Sequence, residues 1–394
     1  MLTGGGDVPG LNAIIKTLVW RMEDEGREVV GLRRGWESLI SLQPFADPGN
    51  DKWLMKLDRA NTRAIDRSGG TVLHSSRLNP ALLLPHQLPA HLAAPGQEDA
   101  RSRDAARADA PSKTATSVDA TAHVLKVIDY LGLDAVVAVG GDGTLSFARR
   151  LHQEGVPVVA VPKTMDNDVY GTDYSIGFST AVSRGVHFIN DLRTAAGSHE
   201  RFLIVELFGR YCGEPCLLSS YLAGVDRALI AEVPFDADRL CALLVADKRA
   251  SPSNYAVLTV SEGATVTGGQ PLESGAADAV GHRKLGGIGA VISDMLQRRS
   301  GEHALYQPLG YLMRSGPPDA LDLLVAKNFG NLVADLLVDG KTGLMAAVVG
   351  GRYAAVSVDR LGEGTRRVDV DRFYDVDEYR PKISSVMSLP MFLH

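Results

Sequence analysis

Two short stretches of this chain combine glycine, carboxylate and a cation in a way that suits chemistry on phosphate. They are Gly140-Gly141-Asp142-Gly143-Thr144 and Pro162-Lys163-Thr164-Met165-Asp166-Asn167-Asp168. Glycines leave backbone amides open to phosphate oxygens, with no Cβ in the way. Asp142 in their midst is a hard oxygen ligand, suited to Mg²⁺ held jointly with substrate phosphates. Asp166 can accept the proton of an attacking hydroxyl, and Lys163 offers a point charge to the group in flight. The chemistry implied is phosphoryl transfer. Either stretch alone also reads as a tight acidic turn, so the argument rests on the pair.

The elements around them explain how the pair meets. Each stretch follows an apolar run, residues 135–139 and 156–161, and a helical pattern over 145–154 lies between, ended by Gly155. That is a βαβ unit with parallel strands. In an open parallel sheet, ligands collect at the carboxyl ends of the strands, so Asp142 and Asp166 should face one crevice. Helices are predicted over 11–25, 118–131, 179–195 and 321–337, and strands over 29–32, 202–207, 257–260 and 345–349. Only Met1-Leu2-Thr3 precede the glycines at 4–6, almost no strand to launch a phosphate loop, so the start reads as truncated or misassigned and the placement of Gly5 stays open.

Taken in order, the motifs resemble the phosphofructokinase family, with its GGDG[ST] and P[GK]TIDND loops. Residues 2–13 (LTGGGDVPGLNA), Gly69-Gly70-Thr71 leading to Ser76-Arg77, and Gly209-Arg210-Tyr211-Cys212-Gly213 extend the match. The resemblance implies an α/β fold of two Rossmann-like lobes with largely parallel sheets. A phosphoryl-donor lobe would span 1–177 and a sugar-phosphate lobe 178–394, with about 308–345 returning to the first. It implies a 6-phosphofructokinase of glycolysis, a cytoplasmic homodimer or homotetramer using Mg²⁺ and ATP. Asp142 would hold the metal, with Asp168 near its water shell, and Gly5, Arg77, Gly141, Asp142, Gly143 and Thr144 would bind the donor. Asp166 would be the base, assisted by Thr164, with Arg210 and Lys163 stabilising the transferred group. Thr164, Met165, Asp166, Arg201, Phe208, Gly209, Arg210, Glu262, Tyr311 and Arg314 would bind the acceptor, Arg201 across a subunit boundary. Trp36 stands where the family places an aromatic against adenine, and an ordinary packed tryptophan is the alternative.

Four positions depart from the family pattern. Leu305 takes the place of an arginine, and Met313 and Ser315 replace Gln and Gly, which puts the acceptor in question and admits sedoheptulose 7-phosphate. His74 replaces a common glycine; an imidazole facing the donor pocket would narrow it, and a surface position on the loop is the outcome expected. The donor signature is mixed: pyrophosphate-dependent relatives carry Asp and Lys where this chain has Gly143 and Lys163, and typical ATP-dependent bacterial ones carry Gly twice. Because Asp at 143 would repel an ATP phosphate and Gly does not, ATP is expected, with pyrophosphate as the alternative. A non-catalytic sugar-phosphate-binding paralogue is a further alternative.

Composition sets the outer bounds. The 394 residues, 45% of them hydrophobic, can bury a large core. A net charge of −6 offers no basic excess for a nucleic-acid partner. No run is long enough to span a membrane. The 3 cysteines are too few and too scattered for a metal or disulfide framework, which suggests free thiols in a reducing cytoplasm. Residues of about 85–117 are rich in Ala, Asp, Arg, Pro and Ser, lack aromatics, and are expected to form a disordered insert.

Overall fold

The computed structural model describes residues 1–45, 49–93, 117–274, 284–383 and 386–387. Its strands, in chain order, begin with β1 (Leu2–Thr3), β2 (Val29–Leu32), β3 (Leu54–Leu57), β4 (Val136–Gly140) and β5 (Val158–Pro162). Next come β6 (Phe202–Leu207), β7 (Arg227–Leu229), β8 (Ala256–Ser261) and the hairpin β9 (Glu273–Ser274) and β10 (Lys284–Leu285). Then come β11 (Ala304–Pro308), β12 (Leu344–Val349) and β13 (Arg352–Ser357), and the short β14 (Tyr374–Asp375) and β15 (Arg380–Pro381) end the series.

Seven strands form one sheet in the order β13-β12-β5-β4-β1-β2-β3. The five inner strands are parallel, and β3 and β13 run antiparallel at the two edges. The sequences VVAVG and VVAVP of β4 and β5 are buried at every position, as befits strands covered on both faces. One cover is the helix Leu11–Asp24, whose Leu11, Ile14, Ile15, Leu18, Val19 and Met22 form a buried stripe. It lies against the helix Ala320–Val338. The first strand has only two residues, yet Leu2 pairs with Leu32 on one side and Ala138 on the other. Support from both neighbours does what length does elsewhere.

The second sheet is smaller and wholly parallel, in the order β11-β6-β8-β7. Asp322 joins the helices of the two halves. Its carboxylate accepts from Tyr174 Oη at 2.6 Å, Gly177 N at 2.8 Å and Thr180 N at 2.8 Å. Burial pushes Asp322 up to about 6, against the pull of those donors. The chain changes halves more than once. Residues from Ala320 to Ser357 build the first sheet and its cover, further along than the expected 308–345, after which Tyr374–Asp375 and Arg380–Pro381 pair beside β7.

Residues 85–93 carry two short turns, Pro85–Gln87 and Ala90–Leu92, with Leu88 buried among Leu39, Leu83 and Val124. The remainder of the expected insert, 94–116, lies outside the described residues. Among the described residues no helix is long and apolar enough to cross a membrane.

Candidate active site

The donor end is set by the order of the strands. From β1 the chain crosses to β2 on one side, and from β4 to β5 on the other, so a crevice opens beyond the carboxyl ends of β1 and β4. The glycine loop after β1 is tied down there, with Gly4 N donating to Val139 O at 2.9 Å and Gly5 N to Ser76 O at 2.8 Å. Gly5, at φ 81°, has the left-handed backbone that a side chain resists. A Cβ on Gly6 would collide with the Arg314 guanidinium. After β4, Gly141 caps the helix Asp142–Gln153. Asp142, Gly143 and Thr144 are therefore a first helical turn rather than a loop, three residues ahead of the expected start at 145. Exposed amides at such a terminus favour anions.

The acceptor end faces it from the second sheet. Phe208, Gly209 and Arg210 follow β6, Glu262 follows β8, and Tyr311 and Arg314 lie just past β11. The carboxyl ends of two parallel sheets thus enclose a cleft of about 380 Å³. Gly5, Arg77, Gly141 to Thr144, Lys163 to Asp166, Asp168, Phe208, Arg210, Glu262, Tyr311 and Arg314 all line it. The Arg314 guanidinium lies 4.5 Å from the centre of the Tyr311 ring, which itself meets Phe208 edge-on at 6.1 Å.

The electrostatics are those of a site built for anions beside a base. Burial pushes the Asp166 carboxyl up to about 7, and the nearby Asp168 adds to the shift, while Arg210, Lys163 and Arg314 oppose it. Asp168 is raised as well, by burial and by Asp142. Thr164 Oγ1 accepts from Asp166 N at 3.1 Å and so fixes the base's backbone. Lys163 is buried, donates to Gly6 O at 2.6 Å, and is lowered to about 8 by burial and by Arg314 and Arg77. Arg314 sits 3.6 Å from Asp7. Arg210 Nη1 and Arg314 Nε are buried with no hydrogen-bond partner among the described residues, a cost that an oxyanion in the cleft would remove.

The donor set fits Mg²⁺. Asp142, Asp166 and Asp168 offer only carboxylate oxygens, and among the described residues no cysteine or histidine lines the cleft. Among the described residues no three acidic, histidine or cysteine side chains converge tightly enough to cage an ion. Mg²⁺ suits such a site because it keeps water and takes phosphate oxygens as ligands.

Several expected residues lie elsewhere. Trp36 is buried beneath the helix at 142, donates its indole N–H to Thr144 O at 3.1 Å, and packs edge-on against Phe147, so the packed-tryptophan alternative holds. His74 is exposed, at φ 57°, 2.9 Å from Arg33. Gly209 does not line the cleft; its carbonyl accepts from Ser261 Oγ at 3.0 Å and shapes the turn into Arg210. Arg201 is exposed and precedes β6, at the end remote from the cleft, about 20 Å away at roughly 3.3 Å per residue. Leu305 pairs with Leu203 at that same end and packs on the core, so it removes no contact from this chain's own cleft. Met313 is fully buried and its sulfur accepts from Phe208 N at 3.4 Å, while Ser315 Oγ turns back to Tyr311 O at 2.7 Å. Lys16 is engaged by Asp66 at 2.8 Å and Arg63 O at 2.7 Å.

The sequence reading also missed Gly6, Val8, Leu78 and Leu285, which line the cleft. Gly6 and Val8 sit inside a glycine loop that was already legible. Leu285 comes from the β9–β10 hairpin, far along the chain, and nothing local marks it.

Facing parallel sheets with glycine amides, buried cations and paired carboxylates between them define an α/β phosphotransferase site. The Phosphofructokinase family profile matches residues 1–337. The chain is 35% identical over 379 residues to an ATP-dependent 6-phosphofructokinase 3 of Streptomyces coelicolor, covering 96% of this chain and 98% of that one. It is 34% identical over 381 residues to a pyrophosphate–fructose 6-phosphate 1-phosphotransferase of Amycolatopsis mediterranei, with 96% and 98% covered. In fold it is similar to a pyrophosphate-dependent phosphofructokinase from Marinobacter aquaeolei, at a TM-score of 0.73 and 16% identity over 96% of this chain and 87% of that one. This chain belongs to the phosphofructokinase family, phosphotransferases with an alcohol group as acceptor.

Proposed function

We propose that the chain is a 6-phosphofructokinase that moves the γ-phosphoryl group of ATP to the C1 hydroxyl of fructose 6-phosphate. The observation that carries this reading is the company Asp166 keeps. A buried carboxyl raised to about 7 shares one cleft with Arg210 and Arg314, each holding a buried N–H without a partner. A base of that strength suits a hydroxyl proton, and the two guanidiniums suit phosphate oxygens.

In this reading the Gly5 loop and the amides at 141–144 hold the donor phosphates, with Arg77 adding charge. Asp142 would hold Mg²⁺ and Asp168 would meet its water shell; the ion, when bound, neutralises charge on the donor phosphates. Asp166 takes the C1 hydroxyl proton while Thr164 holds its backbone in place. Lys163 and Arg210 counter the charge that spreads over the transferred group. Glu262, Tyr311 and Arg314 orient the sugar phosphate, with Met165 and Phe208 forming the apolar wall.

Gly143 favours ATP, since it brings neither bulk nor negative charge to the helix start. Lys163 serves either donor and the relatives divide between the two, which keeps pyrophosphate as the second reading. The case for a longer ketose weakens, because Leu305 lies outside this chain's cleft. The test measures turnover of fructose 6-phosphate with MgATP and with Mg-pyrophosphate on one preparation. Turnover with ATP supports the proposal, pyrophosphate turnover alone replaces the donor, and turnover with neither leaves only a binding role.

A further inference from the structure

Past residue 337, where the family profile ends, the chain returns from the first sheet to the second and passes directly behind the catalytic loop. Its densest contact there is made by Arg366. Arg366 Nη1 donates to Asp173 O at 2.7 Å and to Asn167 O at 3.3 Å, and Nη2 lies 3.0 Å from Glu214 Oε2 and 3.1 Å from Oε1. Its backbone N donates to Asp168 O at 3.0 Å. The pair is well enclosed, with side-chain exposure of 10% for Arg366 and 2% for Glu214.

What Arg366 braces is the residue between the two carboxylates. Asn167 holds φ at 54°, a left-handed backbone that turns the chain between Asp166 and Asp168 and that L residues avoid unless held. Asn167 Nδ2 donates to Glu214 Oε2 at 3.2 Å and to Asp173 O at 3.2 Å, and its Oδ1 accepts from Ser175 N at 2.8 Å. Glu214 heads the helix that follows Arg210 by four residues. Two residues on from Arg366, Val368 N donates at 3.0 Å to Glu232, whose carboxylate also accepts from Gly213 N at 2.9 Å. The segment therefore ties the loop bearing Asp166 to the loop bearing Arg210, across the line between the two sheets.

We propose that Arg366 is a positioning residue for phosphoryl transfer, fixing the Asp166–Asp168 segment through Asn167 and Glu214 and setting it against Arg210. This rests on the proposed function of the cleft. The role suits a planar fork whose separate nitrogens meet two carbonyls on one side and a carboxylate on the other, a span that one compact ammonium covers poorly.

The experiment compares the full chain with Arg366→Met, Arg366→Lys and the double variant Arg366→Met/Glu214→Gln. Turnover, acceptor KM, unfolding midpoint and amide hydrogen exchange over residues 164–175 are measured on each. Arg366→Met is expected to lower kcat about a hundredfold, the scale of a small misplacement of reacting groups, with acceptor KM changed less than about threefold. The double variant no longer buries a lone carboxylate, so it recovers the unfolding midpoint while kcat stays low and exchange over 164–175 stays fast. It also keeps the test open should Arg366→Met fail to fold. Arg366→Lys recovers only part of kcat. A double variant with the kcat of the unmodified chain would overturn the proposal, as would unchanged exchange over 164–175. Exchange needs no turnover, so an unmodified chain inactive with both donors would sink the proposed function and leave exchange to decide the positioning role.

Discussion

Replacing Asp166 with Asn should make the protein slower and more stable at once, and both effects follow from its surroundings. The carboxyl rises from 3.8 to about 7 through burial first and repulsion from Asp168 second. A folded-state value above the unfolded one means stability that is present below pH 3.8 and lost as pH rises through about 7. Above that point the ionised group costs on the order of 4 kcal/mol. Asparagine removes the charge but leaves a buried amide to satisfy, at about 1–3 kcal/mol, so a net gain of roughly 1–3 kcal/mol is expected. Near pH 4 the charge costs less than about 1 kcal/mol, so the amide cost outweighs it and the variant should be no more stable there; the gain should be largest at pH 8. Turnover should fall at least about a hundredfold, the usual scale for a lost general base. Acceptor KM should move only severalfold, because Glu262, Tyr311 and Arg314 remain. The assay is steady-state turnover at pH 8 alongside urea midpoints at pH 5 and pH 8. Near-normal turnover would remove Asp166 from the mechanism, and a midpoint that falls equally at both pH values would refute the electrostatic account.

The other expectations concern donor, pH and assembly. Gly143→Asp should lower kcat/KM for MgATP at least about tenfold through like-charge contact while sparing Mg-pyrophosphate, and equal losses for both would show that position 143 does not sort donors. The pH profile of kcat/KM should rise as Asp166 loses its proton near 7 and fall as Lys163, lowered to about 8, loses its charge. Asp168→Asn should move the rising limb to lower pH, because it removes a negative neighbour; a fixed limb would assign that limb to another group. Since Arg201 lies at the far end of β6, any service it gives to an acceptor site is to a partner's cleft. Mixing Arg201→Ala with Asp166→Asn subunits should then restore turnover that neither variant has alone, and no recovery would confine Arg201 to a surface role.

The chemistry of the cleft was legible because its signals are local. A glycine run, a carboxylate and the strand before them sit within a dozen residues, and the parallel βαβ unit that carries Asp142 and Asp166 follows from apolar period and length alone. Boundaries shifted by a few residues, most usefully at Asp142, where the glycine-rich motif proved to be the first turn of a helix and not a loop. Strands β3, β11 and β13 are only partly buried and leave a weak pattern, so they went unread.

Residue types and their order along the chain were enough to settle the reaction class and the residues that face one another across the cleft. They could not settle which end of a strand a residue occupies relative to another chain segment. Arg201 read as an acceptor contact and Leu305 as the loss of one, yet strand register puts both at the end of the second sheet remote from the cleft. Trp36 had two readings until burial chose one. Arg366 carried no signal at all, since its partners Asn167, Asp173 and Glu214 lie 152 or more residues earlier in sequence. Contacts of that range depend on how two sheets are set against each other, and only the packed structure decides it.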